Sequence, residues 1–424
     1  ESRPSLNVPY MGRHSEICGK GLTTEKTAFI IPSGFLCYWK IEEVKQVEYE
    51  VTFSQLEQLE KPRVIDIRGA EQFAYGSYPG AENLPLDTIQ PKTWAEPMYL
   101  LCQSGVVSLE LAEKWQELGI PAFSIQGGYR EYLRRTLIRA VSDEASCQAR
   151  REKAEHSIIT TYRKALWTPF IRAIKEYRLI SDGDKIAVCI SGGKDSMLMA
   201  KLFQELKAHG RQNFEVVFLV MNPGYNQLNA QTVLDNAKLL GIPVEVFHTE
   251  IFDIVANQGG SPCYLCARMR RGYLYSKAKE LGCNKIALGH HYDDVIETIL
   301  MGMLYGSQIQ TMMPKLHSTN FPGMELIRPM YLIREKDILR WRDYNDLHFI
   351  QCACRLTESC ASCGGTEKGS KRAEIKELIR TLSQKDPQIP ARIFRSVENV
   401  NLDTVVAYKQ KNVVHHFLEE YGEK

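Results

Sequence analysis

Short runs of apolar residues alternate with segments of helical spacing along most of the chain. Between these runs, apolar residues recur at every third or fourth position, as in residues 109–118, which end at Gly119. Alternating strands and helices are typical of parallel sheets covered by helices, so the pattern predicts two α/β units. The predicted buried strands are residues 64–67, 99–101, 186–190, 215–221, 244–247 and 285–288.

Changes in this pattern divide the chain into five predicted segments. The N-terminal extension has no assigned role, the first α/β unit is small, and the second has helices on both faces of a doubly wound parallel sheet. A connector with a four-residue apolar repeat joins the two units, and a helical tail closes the second one. The predicted bounds are 1–47 for the extension, 48–135 for the first unit, 136–180 for the helical connector, 181–365 for the second unit and 366–424 for the tail.

The composition describes an ordinary soluble protein of two or three domains. Of its 424 residues, 44% are hydrophobic and 25% are charged. The net charge of +2 gives no global attraction for nucleic acid, so any RNA-binding surface must be a local patch. No apolar run is long enough to cross a bilayer and no secretion signal is seen, which predicts a cytoplasmic protein without a membrane partner. Twelve cysteines in that setting favour metal binding or sulfur transfer over disulfides.

A glycine-rich loop directly follows the predicted strand at residues 186–190. Its glycines let the backbone approach a ligand closely, and the amide groups at the start of the next helix favour phosphate. Lys194 adds a cation, and a carboxylate such as Asp195 beside phosphates is typical of a Mg²⁺ site. The spacing is not that of a Walker A motif. The residues of this predicted ATP-binding loop are Ser191, Gly192, Gly193, Lys194, Asp195 and Ser196.

This loop resembles the PP-loop of ATP pyrophosphatases. That family adenylates an oxygen atom of its substrate and releases pyrophosphate. The resemblance implies a doubly wound sheet of the adenine nucleotide alpha hydrolase type for the second unit, with ATP as the substrate that supplies the adenylyl group.

Cys102 lies in the first unit where a predicted strand ends and a helix begins. Backbone amides at that position stabilise a thiolate, which suits a carrier of persulfide sulfur. The surrounding segments resemble a rhodanese-like domain, in which the loop cysteine accepts sulfane sulfur. Many such loops carry arginines where this chain has Gln103 and Val107, so a protein persulfide donor such as a cysteine desulfurase is favoured over thiosulfate. The segments that carry the resemblance are residues 64–68, 79–85, 101–105 and 127–128.

A second group of cysteines lies in the second unit. Cys263 and Cys266 form a C-x-x-C pair before a basic helix, and such pairs occur in redox, zinc and iron–sulfur sites. Residues 168 to about 355 resemble the family of tRNA 2-thiocytidine synthetases and its relatives. The matching segments are residues 190–196, 263–272, 287–294, 327–329 and 334–337.

That resemblance implies a [4Fe–4S] cluster with three cysteine ligands. It places Cys263 and Cys266 on the cluster, with Cys352 as the third ligand and Cys354 as the alternative. Three thiolates leave one iron open, where sulfur could bind before it reaches the activated base. A second hypothesis stays open, because the downstream spacing also permits a Zn²⁺ site. Its four ligands would be Cys352, Cys354, Cys360 and Cys363.

Polar residues follow two further predicted strands of the second unit. Since the carboxyl ends of parallel strands border the ligand crevice, Asp293 and Asp294 are predicted to bind Mg²⁺ or to orient the base. The family resemblance implies Gly289 close to the nucleotide. Asn222, at the end of another strand, is predicted to border the adenosine pocket, while the histidines beside Gly289 are explained equally well by capping or packing.

The basic helix that follows the C-x-x-C pair carries Arg270 and, as the alternative, Arg271, one of which is predicted to contact ATP or the substrate backbone. Taken together, the motifs predict an ATP-dependent sulfurtransferase that adenylates a pyrimidine carbonyl oxygen, with tRNA as the favoured substrate. Sulfur would reach the base through the Cys102 persulfide and the cluster. A thiolase for a small metabolite and a zinc-stabilised nucleotide-binding module without sulfur chemistry are the alternatives, and a homodimer stays open.

Overall fold

The computed structural model describes residues 49–91, 96–210, 212–256, 262–350, 371–419 and 421. Within these ranges, no helix has both the length and the apolar character needed to span a membrane.

The first domain is a five-stranded parallel sheet in the order β1-β5-β4-β2-β3. Alternating apolar residues bury one face under Trp115 and the other under Phe53. Because all five strands run in one direction, their carboxyl ends meet at a single edge, where the loops after β2, β4 and β5 lie. The strands are β1 (Glu50–Val51), β2 (Arg63–Asp66), β3 (Glu82–Asn83), β4 (Met98–Leu101) and β5 (Ala122–Ile125). The helices are α1 (Phe53–Leu56), α2 (Ala70–Tyr75), α3 (Val106–Glu117) and α4 (Gly128–Ser142).

The connector is helical, as its apolar repeat predicted. It contains α5 (Glu144–Ile159), a π-helical segment (Arg163–Trp167) and α6 (Thr168–Glu176). Four of the five repeat positions are buried in the core of the second domain, and the repeat therefore serves packing. These four are Ile158, Leu166, Phe170 and Ile174.

The second domain is a six-stranded sheet in the order β10-β11-β9-β6-β7-β8. All neighbours are parallel except the edge strand β10, which the sequence did not predict and which runs antiparallel to β11. The strands are β6 (Lys185–Ile190), β7 (Glu215–Asn222), β8 (Val244–His248), β9 (Lys285–Ala287), β10 (Lys315–His317) and β11 (Glu325–Ile327). The helices are α7 (Lys194–His209), α8 (Gln227–Leu239), α9 (Ile251–Ala256), α10 (Pro262–Glu280), α11 (Tyr292–Gly306) and α12 (Glu335–Tyr344).

The order of strands reverses between β6 and β9, which are hydrogen-bonded neighbours. The chain proceeds from β6 through β7 to β8 on one side, then returns to β9 and β11 on the other. A crevice forms beyond the carboxyl ends of the strands at such a reversal, and it is where doubly wound sheets bind ligands. The glycine-rich loop follows β6 and the residues from 288 onward follow β9, so both predicted ligand segments border this crevice.

The prediction of a helical tail over residues 366–424 is wrong for the last part of that range. Helices α13 (Lys371–Lys385) and α14 (Ile389–Ser396) are present, but β12 (Ala407–Gln410) and β13 (Val413–His416) form an antiparallel hairpin. Lys411 and Asn412 turn the chain with φ of 47° and 69°, the positive values that a two-residue hairpin turn requires. Lysine is uncommon in such a turn, so the usual sequence signal was missing.

Candidate functional site

Val233 and Ile350 pack tightly against the glycine-rich loop after β6. Gly192 has a φ of +88°, and a Cβ atom at this position would lie 2.5 Å from Val233 Cγ2 and 2.9 Å from Ile350 Cδ1. A side chain would therefore be both strained and in collision, which explains the glycine. The Ser191 amide donates to Ser196 Oγ at 3.2 Å, so the loop is closed by its own hydrogen bonds. The backbone is thus shaped in advance for a phosphate group.

Lys194 is held between two carboxylates at the start of α7. Its Nζ lies 3.0 Å from Asp195 Oδ2 and 3.1 Å from Glu335 Oε1. Burial by itself would lower the pKa of Lys194, but Asp195 and Glu335 raise it, so the ammonium group keeps its charge. Glu335 in turn lies 3.2 Å from Lys376 Nζ. Burial alone would raise the pKa of Glu335, whereas Lys194 and Lys376 lower it to about 2.

The second oxygen of Asp195 bears on whether Mg²⁺ and ATP fit this site. Asp195 Oδ1 is buried and has no hydrogen-bond partner among the described residues. A buried carboxylate oxygen without a donor is costly unless a cation or another donor satisfies it. Mg²⁺ bound to nucleotide phosphates commonly takes one or two such carboxylates, so the residues present fit an ATP–Mg²⁺ complex.

Gly289 brings the end of β9 against the glycine-rich loop. A Cβ atom at Gly289 would lie 3.3 Å from the carbonyl carbon of Asp195 and 3.3 Å from the Ser196 amide nitrogen. Only a residue without a side chain permits this approach without displacing the start of α7. The structure thus places Gly289 beside the predicted nucleotide loop.

The two neighbouring aspartates after β9 have different partners. Asp293 accepts hydrogen bonds from Arg334 Nη2 at 2.9 Å and from the Glu335 amide at 2.6 Å. Asp294 accepts from the His291 amide at 2.9 Å and so caps α11. Asp293 therefore holds the segment that supplies Glu335, while Asp294 stays beside the crevice.

His291 connects Asp294 with the glycine-rich loop. Its ring is buried, with Nδ1 at 3.5 Å from Asp294 Oδ2 and Nε2 at 3.9 Å from Asp195 Oδ1. Burial by itself would raise the pKa of Asp294, but contacts with His291 and the charge of Arg372 lower it, so the carboxyl group is ionised. The structure therefore brings the carboxylates of Asp195 and Asp294 to opposite sides of one imidazole. Sequence reasoning described this histidine as a capping or packing residue, and its Nδ1 does cap α11 by accepting from the Asp294 amide at 3.4 Å. The bridge between the two carboxylates was missed.

Helix α13 places the positively charged side chains of Arg372 and Lys376 beside the carboxylates of the site. Arg372 Nε lies 2.9 Å from Glu297 Oε2, and Arg372 Nη2 lies 3.5 Å from Asp294 Oδ1. Burial raises the pKa of Glu297 to about 7, although Arg372 acts in the opposite direction. Sequence reasoning missed Glu297, Glu335 and Arg372, since nothing in their local sequence indicates that they meet.

A pH-dependent stability should follow from Glu297. Its carboxyl group binds a proton more tightly in the folded chain than at its ordinary value of 4.5, so the free energy of unfolding should fall as pH rises from 4.5 to about 7. A shift of this size corresponds to about 3 kcal/mol. Glutamine does not titrate, so the unfolding free energy of Glu297→Gln should not fall in this way. In thermal unfolding, the melting temperature of Glu297→Gln minus that of wild type should therefore increase as pH rises from 4.5 to about 7. The exposed Glu113→Gln is the control, and parallel curves for wild type and Glu297→Gln would contradict the assignment.

Two other predicted site residues, Asn222 and Arg270, contact the turn after β7. Asn222 Oδ1 accepts from the Gly224 amide at 3.1 Å and from the Tyr225 amide at 2.7 Å, so it shapes the turn after β7. Arg270 Nη2 lies 3.5 Å from the Tyr225 hydroxyl, at the limit of a hydrogen bond. The described contacts therefore join Asn222 and Arg270 to each other through Tyr225 and not to the carboxylates around His291.

Helix α10 begins at Pro262 and carries both cysteines of the C-x-x-C pair. Cys266 is half-buried against an apolar cluster that contains Met221, at the end of β7. Thiolates are the soft ligands that iron–sulfur clusters use, and Cys266 is the predicted cluster ligand whose side chain the structure describes. The Cys263 side chain and the remaining cysteines of the cluster and zinc hypotheses lie outside the described residues, and these assignments stay predictions. Those remaining cysteines are Cys352, Cys354, Cys360 and Cys363.

In the first domain, Cys102 lies in a pocket of hydrogen-bond donors. Its side chain is 4% exposed, and Sγ accepts from the Gly105 amide at 3.1 Å, the Ser108 amide at 3.4 Å and Ser108 Oγ at 3.1 Å. Gly105 has a φ of +90°, which lets the loop turn into α3 directly below the sulfur. Three donors facing one sulfur atom stabilise negative charge on it, as a persulfide carrier requires.

Arg68 supports the loop that carries Cys102. Its guanidinium is buried, pairs with Asp66 Oδ2 at 2.6 Å and donates to the Gly76 carbonyl at 2.7 Å. It also lies 3.4 Å from Gln103 Oε1. Because Asp66 neutralises its charge, Arg68 supports the loop through hydrogen bonds and does not replace the loop arginines of many rhodaneses.

Two segments of the chain match models of known protein families. Residues 53–135 match a family model described as a rhodanese-like domain, and residues 166–355 match one described as a PP-loop domain. These matches confirm the predicted succession of the two domains.

Relatives cover the second half of this succession. The chain is similar to the tRNA-cytidine(32) 2-sulfurtransferase of Coxiella burnetii, with 35% identity over 235 residues, 54% of this chain and 87% of that protein. The enzyme of the same name from Aliivibrio salmonicida is 36% identical over 257 residues, 58% of this chain and 78% of the relative. Among solved structures, the U34-tRNA thiolase NcsA from Methanococcus maripaludis, with its [4Fe-4S] cluster, has 22% identity and a TM-score of 0.43. That match covers 55% of this chain and 76% of NcsA.

Proposed function

Because the chain belongs to the family of tRNA-cytidine(32) 2-sulfurtransferases, as its sequence motifs predicted, we propose that it replaces a carbonyl oxygen of a pyrimidine in tRNA with sulfur. The names of its relatives favour cytidine as the base. The proposal rests on one observation, which is that two sites occur in the same chain. One is a preformed phosphate loop with the carboxylates of Asp195 and Asp294 on either side of His291. The other is the Cys102 thiol, which accepts hydrogen bonds from its own loop.

The glycine-rich loop and its neighbours would carry out the activation step. The carbonyl oxygen of the base forms a bond to the α-phosphorus of ATP, the bond to the bridging oxygen breaks, and pyrophosphate leaves. The amides at the start of α7 would bind the phosphates, and Lys194 would exchange a carboxylate partner for a phosphate oxygen. Asp195 Oδ1, which lacks a donor, would hold Mg²⁺. Asp294 is the favoured residue to orient the metal or the base.

Sulfur would enter through Cys102. A persulfide donor such as a cysteine desulfurase would load the thiol, and the donors of Gly105 and Ser108 would stabilise the resulting anion. When bound to Cys263, Cys266 and either Cys352 or Cys354, a [4Fe–4S] cluster would supply an iron atom with an open position for sulfur. The sulfur then takes the place of the oxygen and AMP leaves. Converting sulfane sulfur to the thiocarbonyl level takes two electrons, which an external thiol or other reductant must provide.

Nucleoside analysis tests the proposal. The full chain, purified without oxygen, is incubated with ATP, Mg²⁺, a persulfide donor, a reductant and unmodified tRNA, and the tRNA is digested for mass spectrometry. We expect one thiolated pyrimidine, with cytidine as its parent, and release of pyrophosphate that depends on tRNA. Free cytidine is the control substrate and should be inert. Pyrophosphate release with free nucleosides but not with tRNA would instead support a thiolase for a small metabolite.

A further inference from the structure

We infer that the rhodanese-like domain delivers sulfur to the PP-loop site of its own chain, because Tyr75 fixes the cysteine-bearing edge of the first sheet against the phosphate-binding edge of the second. This inference rests on the proposed function and names the partner of Cys102 in it. The alternative, transfer between two copies of the chain, would need Cys102 of one copy at the crevice of another.

Tyr75 ends α2 in the first domain, and its ring lies against Arg342 of the second domain. Burial raises the pKa of Tyr75, and the charges of Lys194 and Arg342 act to lower it, as expected for a hydroxyl close to both cations. The Arg342 guanidinium lies 4.3 Å from the centre of the Tyr75 ring. Arg342 is itself buried and belongs to α12, the helix that begins at Glu335. A residue of the first domain thus packs on the helix whose first residue, Glu335, pairs with Lys194.

The same turn also contacts the loop of Cys102. Gly76, which follows Tyr75, accepts a hydrogen bond from Arg68 Nη2, and Arg68 Nη1 lies 3.4 Å from Gln103 Oε1. Arg68, Gln103 and Gly76 all lie at the carboxyl edge of the first sheet. The loop of Cys102 and helix α12 of the second domain are therefore connected through a short series of residues.

Helix α4 makes a second and independent connection. The Tyr129 amide donates to the Cys102 carbonyl at 2.9 Å, and Gly128 is so close that an added Cβ would collide with that carbonyl. The same helix packs along α8 of the second domain, and Leu137 lies in the core of that domain. An orientation fixed at both Tyr75 and α4 permits little rotation between the domains.

A cavity of about 400 Å³ lies where the two domains meet the tail. Its walls come from Glu71 of α2, from Arg334 and Glu335 of the second domain, and from Lys376 and Arg380 of α13. The first domain therefore forms part of the wall next to the Lys194 site. A carrier docked in this way raises the effective concentration of sulfur at the acceptor without a new binding event.

Mixing two inactive chains tests the inference. Cys102→Ser keeps the PP-loop site, and Asp294→Asn keeps the carrier cysteine. The two chains are co-expressed, so that mixed dimers form if the chain dimerises, and are given ATP, tRNA, a reductant and a persulfide donor. We expect thiolation to remain at the level of each variant alone. Random pairing allows transfer between copies to recover at most about a quarter of the wild-type rate, so any reproducible rise above the single variants toward that level would overturn the inference. Wild type co-expressed with Asp294→Asn controls for inhibition by the variant.

Tyr75 variants provide a second readout, the ratio of thiolated nucleoside to pyrophosphate. Tyr75→Ala should lower this ratio at least fivefold, because activation continues while sulfur arrives less often. Tyr75→Phe keeps the ring on Arg342 and should keep the wild-type ratio. An equal fall of both products in Tyr75→Ala would indicate a merely structural residue and contradict the inference. Failure of the proposed function looks different, since wild type itself would then form no thiolated nucleoside.

Discussion

Replacing Cys102 by serine should abolish tRNA thiolation driven by a persulfide donor while pyrophosphate release continues. The hydroxyl cannot hold a sulfane sulfur, and removal of a nucleophile typically costs a factor of about 1,000 or more. The activation step uses residues of the other domain, so it should keep the wild-type rate to within about twofold. Labelled sulfur on the first domain, thiolated nucleoside and pyrophosphate are measured on the same preparation.

Two controls make the Cys102→Ser result specific. Cys283→Ser changes a buried cysteine in the second domain and should leave sulfur loading intact. Excess inorganic sulfide should bypass the carrier and restore thiolation to Cys102→Ser. Labelled sulfur that still accumulates on the first domain of Cys102→Ser at the wild-type level would rule out the carrier role.

Asp294→Asn should abolish pyrophosphate release, whereas Asp293→Asn should mainly destabilise the fold. Asparagine can still cap α11, so Asp294→Asn should stay folded, but the loss of a carboxylate beside Asp195 should lower the activation rate by about 100-fold or more. Asp293 accepts charge-assisted bonds from Arg334, and their loss should cost about 1.5–3 kcal/mol of unfolding free energy. Thermal unfolding and pyrophosphate release are measured for both.

The contrast between these neighbours is the control, since the two substitutions are chemically identical. If Asp293→Asn loses pyrophosphate release at unchanged stability while Asp294→Asn keeps it, the roles are reversed and the assignment is wrong. Equal losses in both variants would mean that the two carboxylates act together on the metal, again contrary to the separation of their partners in the structure.

Local sequence signals were sufficient for six of the eleven strands in the two sheets and for the loop of residues 191–196. The predicted strands are mostly apolar runs, and the glycines directly follow one of them. The strands that were not predicted are short and include polar residues: β1, β3, β5, β10 and β11. Asp294 was predicted from its place after β9, because strand ends border the crevice in this type of sheet. Cys102 was predicted for the same reason in the first domain.

The residues that surround Lys194 could not be predicted in the same way. Glu335 and Lys376 are separated from it by more than a hundred residues, and each alone resembles an ordinary surface charge on a helix. Tyr75 is a similar case, since an aromatic residue in a short amphipathic helix is usually a core residue. Such positions become informative only when packing brings distant segments together, which no local pattern records.

The order in which the chain leaves the ribosome gives the contacts of α13 a further consequence. Glu297 and Glu335 receive cations from Arg372 and Lys376, which are translated last among the residues of this cluster. Until then Glu297 of a nascent chain lacks Arg372, and Glu335 has Lys194 without Lys376, which disfavours a closed crevice. Competence to consume ATP should therefore arise only after α13 has been synthesised and has packed over the crevice.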